Sequence, residues 1–172
     1  MQIVVAEIPR GGRQLQVEPG VEWALRAATE ALEVEPMRLS GLLDVAYPSR
    51  RERVDVRCRI EAAAERRCDR CGELVSIQLR CDELLLYFST QAQEDVDGEV
   101  ELDAEDLEVG WYEDGALDAE SVVREALALA LPARVACEDT AACDQRTEQL
   151  LASANENAPV GHPAFAVLRD LQ

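Results

Sequence analysis

The sequence predicts an α+β fold. An antiparallel β-meander, with a Cys-x-x-Cys tip on its central hairpin, is covered by two main helices and followed by a flexible C-terminal tail. Three observations predict it. Period-two alternation runs through Val54, Val56, Cys58, Ile60 and Ala62 and again through Val75, Ile77, Leu79 and Cys81, on either side of Cys68-Asp69-Arg70-Cys71-Gly72. Two other stretches carry apolar residues at helical spacing, and each ends at a proline, Pro36 or Pro132. Beyond residue 153 the apolar periodicity is lost. At 172 residues the chain has the length of one domain, able to bury its own core. We expect a single α+β domain over 1–153, with an acidic loop at 91–106, and a tail over 154–172.

Taken in order, residues 3–8 form a short apolar run that ends at Pro9 and a Gly-Gly, which suits an opening strand and a turn. Val21, Ala24, Leu25, Ala28, Ala31 and Leu32 then define a helix over about 21–33. Alternation of Leu39, Gly41, Leu43, Val45 and Tyr47 predicts a strand over 38–47. Pro48-Ser49-Arg50 turns it into the second strand, 53–65, and the third follows at 74–88. Symmetry about the cysteine pair would set Ala62 opposite Ile77, Ile60 opposite Leu79, Cys58 opposite Cys81 and Val54 opposite Leu85. One face is then apolar apart from Glu83, while the other carries Arg57, Arg59, Glu61, Gln78, Arg80 and Asp82. A slip of one residue would bury those charges.

Leu107, Val109 and Trp111 read as a short strand before the turn at Glu113-Asp114-Gly115. Asp118 suits an N-cap, with Glu120 in the first turn of a helix whose face is Val122, Val123, Ala126, Leu127, Ala130 and Leu131. A polar helix is expected over about 144–153. The last apolar patch, with Pro163, Phe165 and Leu168, either docks back on the domain or is a peptide offered to a partner.

Charge limits what the chain can bind. The net charge is −18, and the whole basic complement is arginine. Such a surface repels phosphate backbones at long range, which disfavours tight nucleic-acid binding by the molecule as a whole. The charge is nonetheless segregated: residues 50–80 hold nine arginines against six acids, and residues 94–120 hold thirteen acids and no base. Arg57, Arg59, Arg66, Arg67, Arg70 and Arg80 are therefore the candidate contacts for a nucleic acid or an acidic partner. The acidic run suits a basic partner such as a ribosomal protein, and both runs also read as solvated faces. No apolar stretch has the length of a membrane span, and residues 1–16 lack the pattern of a secretory signal, so a cytoplasmic protein is expected.

In that compartment the six cysteines should be reduced or metal-bound. Cys58 and Cys81 would lie within disulfide reach across the hairpin, but read first as small buried apolar groups. Cys68 and Cys71 can share one tetrahedral ion, because Gly72 lets the backbone curl around sulfur without a Cβ clash. Cys137 and Cys143 are the other pair close in sequence. Four thiolates would close a structural zinc site, so zinc is the candidate cofactor. Two further readings of the Cys-x-x-Cys stay open: reduced thiols at a turn, and a redox pair. With one histidine, His162, and neither a phosphate loop nor a nucleophile elbow, no enzyme is expected.

Three pieces of the chain, taken together, are similar to a known family. They are Cys68-Asp69-Arg70-Cys71-Gly72 between two strands; Asp118 followed by Glu125-Ala126-Leu127-Ala128-Leu129-Ala130-Leu131-Pro132 and then Cys137; and His162-Pro163 with Phe165-Ala166-Val167-Leu168. Their order and separation resemble the YceD proteins, also described as large ribosomal RNA subunit accumulation proteins, over most of the chain after Leu39. Where that family usually shows Asn or Asp before the proline, this chain has His162. The resemblance implies a non-enzymatic role in accumulation or processing of large-subunit ribosomal RNA, hence ribosome biogenesis in a bacterium or a plastid. The acidity points to action through ribosome-assembly or ribosomal proteins, with indirect or weak contact to the RNA. The alternative is a thiol redox or zinc-carrying protein built on Cys68 and Cys71.

Overall fold

The structure is a computed structural model that describes residues 1–47, 53–90 and 109–156. The expected acidic loop at 91–106 and the terminal motif with Pro163, Phe165 and Leu168 lie outside the described residues. By packing, the chain divides into two compact units, Met1–Arg66 with Ser76–Ala133, and Arg67–Val75 with Arg134–Gln172.

The larger unit is built on a five-stranded sheet in the order β2-β3-β4-β5-β6. Its strands are β2 (Arg13–Val17), β3 (Arg38–Ala46), β4 (Arg53–Arg67), β5 (Leu74–Ser89) and β6 (Val109–Tyr112). The three long strands match the expected ones to within two residues at each end. Strand β3 pairs antiparallel with β4, placing Leu39 opposite Ala62 and Leu43 opposite Cys58. Alternate residues Val54, Val56, Cys58 and Ile60 are buried, as the period-two pattern requires.

Three features depart from the expected meander. Strand β2 is an extra edge strand, antiparallel to β3 with Leu15 opposite Leu43. Only Leu15 and Val17 mark it, too few residues for alternation to register. Strand β6 joins β5 in parallel, Tyr87 standing opposite Gly110, so the sheet is mixed rather than wholly antiparallel. A parallel partner needs a long connection, which the chain between Ser89 and Val109 supplies. Finally, the opening strand shrinks to β1 (Gln2–Val4), followed by a 3-10 turn over Val5–Glu7. It pairs with β7 (Ala116–Asp118) in a separate two-stranded sheet.

Helices α1 (Glu22–Leu32) and α2 (Ala119–Ala130) supply the other layer of this unit. Helix α1 ends on Glu33 in the left-handed conformation, three residues before Pro36. Asp118 caps α2 as expected, its carboxylate accepting from the Glu120 N–H and from Ser121. Ala24, Ala27, Ala28 and Leu32 of α1 and Val122, Val123, Ala126 and Leu127 of α2 are all buried, and the small alanines let the two helices pack on each other. Ion pairs flank that contact, Arg26 to Glu120 at 2.8 Å and Arg124 to Glu30 at 2.7 Å.

Cys58 and Cys81 are free thiols buried in this core, and burial pushes Cys58 up to about 12 and raises Cys81. They pack as small apolar groups. Tyr87 is also buried, with its hydroxyl donating to Glu125 at 2.7 Å. Opposite it, a Cβ on Gly110 would stand well inside 3 Å of the Tyr87 ring. Glycine at 110 is therefore what admits the tyrosine.

Two outcomes are expected. Gly110→Ala should lower the unfolding free energy by about 1–3 kcal/mol, read from chemical denaturation, because the hydrogen-bonded ring cannot swing away. Glu120 is held down to about 2 from its ordinary 4.5, chiefly by the hydrogen bonds from Arg26. A depressed carboxyl stabilises the fold above its ordinary value and loses that contribution as pH falls through its folded value. Melting temperatures of the wild type and Glu120→Gln should thus differ by a constant amount above about pH 5 and converge towards about pH 2.

Candidate metal centre

The second unit holds Cys68, Cys71, Cys137 and Cys143. Residues 68–73 join β4 to β5, and a turn closes there: Cys68 N–H donates to the Glu73 carbonyl at 2.7 Å and Gly72 N–H to the Cys68 carbonyl at 2.9 Å. Gly72 has φ of 75°, the left-handed conformation anticipated for it. This curl aims the backbone N–H groups of Cys71 and Arg70 at the Cys68 sulfur and lowers its thiol to about 6. A thiolate is thereby favoured before any metal enters.

The second cysteine pair comes from a segment some seventy positions later. Asp69 ties the two segments together. Its N–H donates to the Val135 carbonyl at 2.9 Å, and its carboxylate accepts from the Val135 N–H at 2.7 Å. Cys137 follows two residues on. Helix α3 (Thr140–Glu156) then presents Cys143 from its first turn, where Asp139 accepts from the Ala142 N–H. The expected polar helix at 144–153 is therefore longer at both ends. It begins early because Asp139 supplies a cap.

The four sulfurs converge. Cys68 Sγ lies 3.8 Å from Cys143 Sγ, Cys71 Sγ lies 3.5 Å from Cys137 Sγ, and all four fall within 4.8 Å of one another. A tetrahedral ion with metal–sulfur bonds of about 2.3 Å sets its sulfurs roughly 3.8 Å apart, so the spacing is close to that of a closed four-thiolate shell. The four cysteines lie close enough to bind one metal ion. Burial raises Cys137 and pushes Cys143 up to about 12, opposite in direction to Cys68 and Cys71.

What surrounds the sulfurs matters as much. Among the described residues of this unit, the buried side chains are Cys68, Cys71, Val135 and Cys143, with Val75 and Cys137 partly buried against the sulfur cluster. So small an apolar core falls short of what a unit of this kind needs without a staple. Arg146 of α3 completes the surroundings: its Nη2 donates to Cys137 Sγ at 3.4 Å, and its guanidinium is the main group that holds the Cys71 thiol below its ordinary value. Sequence reasoning passed over Asp69 and Arg146. A signal for Arg146 existed in its spacing, since a residue three beyond Cys143 shares its helix face.

The six arginines expected to contact a nucleic acid or partner are engaged within the chain. In the larger unit Arg57 bonds Asp82 at 2.6 Å, Arg66 bonds Glu33 at 2.6 Å, Arg80 stands 3.8 Å from Glu61, and Arg59 pairs with Asp44. In the smaller one Arg70 pairs with Asp144, and Arg67 donates to the Gly72 carbonyl at 3.0 Å. The arginine face is an ion-paired surface.

Among the described residues no helix is long and apolar enough to cross a membrane. No curated protein and no solved structure matches the chain. A family model described as large ribosomal RNA subunit accumulation protein YceD matches residues 56–172, a span that includes every cysteine of the cluster, most of β4 and all of β5. That match covers more than half of the sequence, and the chain belongs to the YceD family.

Proposed function

We propose that this protein is a non-enzymatic, cytoplasmic factor of ribosome biogenesis that supports accumulation or processing of large-subunit ribosomal RNA through protein partners, with a structural zinc ion on Cys68, Cys71, Cys137 and Cys143. The family match supports the role. One observation carries the choice of a protein partner over direct RNA binding: five of the six candidate arginines are ion-paired to carboxylates of the chain itself, and the sixth to a carbonyl. A guanidinium already neutralised releases few counterions from a phosphate backbone. The net charge of −18 suits a basic protein partner instead.

Zinc is favoured by the ligand set, four sulfurs at tetrahedral spacing in a closed shell. The redox reading is the less favoured one, because Cys68 and Cys71 are only 3% and 7% exposed and an exchanging thiol needs access.

Depletion of the protein from cells should lower the large-subunit ribosomal RNA relative to the small, measured by subunit profiling; an unchanged ratio sinks the role. RNA binding by the purified protein should show a salt slope no steeper than about −2, where six free guanidinium groups would give about −5. Elemental analysis should find one zinc per chain, lost in Cys71→Ser. Chelation should remove hydrogen-exchange protection from residues 68–75 and 134–156 while sparing the core strands β3 and β4. A protein free of metal that keeps this protection would overturn the zinc reading.

A further inference from the structure

We propose that Arg146 is a positioning residue of the metal centre: its guanidinium clamps the Cys137 sulfur, which lies 3.5 Å from that of Cys71, and supplies the counter-charge that sets how tightly the ion is held. The inference rests on the metal reading above and extends it to a residue outside the ligand set.

Three observations carry it. Arg146 lies one helical turn beyond Cys143, so α3 brings a ligand and a cation to the centre on one face. Among the described residues it donates to a sulfur, Cys137 Sγ, 3.5 Å from Cys71 Sγ, and to no carboxylate. The other bonded guanidinium groups of the unit find oxygen, Arg70 on Asp144 and Arg67 on the Gly72 carbonyl. Lastly, Arg146 Nε is buried without a partner. In a chain with 35 acids, a guanidinium that meets no carboxylate among the described residues and buries an unbonded nitrogen is matched to a different negative centre. Four thiolates around a divalent cation are such a centre, with a net charge of about −2.

The clamp also has a geometric role. Cys71 comes from the connection between β4 and β5, and Cys137 from the segment before α3. A planar guanidinium can donate to both sulfurs at once, which an ammonium cannot do with the same geometry. N–H donation draws electron density from the sulfur, so a thiolate bonded in this way is a weaker nucleophile and its charge transfer to a metal lies at higher energy, while the guanidinium charge offsets the excess negative charge of the loaded centre and so holds it together.

The test uses the full chain with zinc and, as a spectroscopic probe, cobalt(II). In competition with a chromogenic chelator, Arg146→Met should bind zinc about ten-fold more weakly than the wild type, and Arg146→Lys about three-fold more weakly. Arg134→Met makes the same charge change at an exposed residue that bonds none of the cysteines, and it should stay within about two-fold. The sulfur-to-cobalt charge-transfer band should move to longer wavelength in Arg146→Met, a shift that a purely structural role would not produce. Equal zinc affinity in Arg146→Met and the wild type, with an unmoved band, overturns the inference. Should Arg146→Met not fold, Arg146→Lys decides alone, and wild-type affinity and spectrum in that variant overturn it. A wild type that takes up neither zinc nor cobalt instead refutes the metal reading itself, and the inference falls with it.

Discussion

The convergence of four sulfurs is the constraint on which the smaller unit depends. Two segments far apart in sequence meet there, and what they bury against each other is almost entirely cysteine. Hydrophobic burial on that scale cannot repay the entropy of ordering a turn, an extended segment and a seventeen-residue helix. Leu150 and Leu151 of α3 are 50% and 59% exposed and add little to the core. The stability of the unit is therefore inseparable from the sulfur cluster. Asp69 sets the approach of the two segments through its paired bonds to Val135, and the backbone N–H groups of the Cys-x-x-Cys turn prepare Cys68 as a thiolate.

The larger unit rests on different physics. Its core is aliphatic, drawn from a period-two sheet face and two helical stripes, and cysteine enters it only as a small buried group. Cys58 and Cys68 thus show one residue type in two roles. Desolvation pushes Cys58 up to about 12, while oriented backbone dipoles lower Cys68 to about 6.

Electrostatics links the fold to the proposed role. A sequence with acids at twice the number of bases has enough carboxylates to neutralise its arginines internally, and it does so wherever strands or helices bring the two together. Arg57 with Asp82, and Arg80 with Glu61, join residues of β4 and β5 that all belong to the polar face anticipated for the hairpin. What reaches solvent from that face is a set of ion pairs, and the proposed role rests on such a face steering a phosphate backbone weakly and at short range.

Most of this was legible from the chain alone where the signal is local. Alternation gave β3, β4 and β5, proline and helical spacing gave α1 and α2, Asp118 was recognisable as a cap, and Gly72 as a residue for a left-handed turn. The four cysteines of the cluster could be named because cysteines come in few pairs. Four matters were decided by tertiary structure: that the two pairs meet, that β6 lies parallel to β5, that β2 exists, and that each candidate arginine has a partner. Each depends on which distant residues become neighbours. Leu15 and Val17 become a strand only once β3 offers them an edge, Gly110 matters only because Tyr87 arrives opposite it, and Arg146 acquires a role only when Cys71 and Cys137 come within its reach. Periodicity reports the face that a residue presents. The group that will occupy that face is a long-range contact, and no local pattern encodes it.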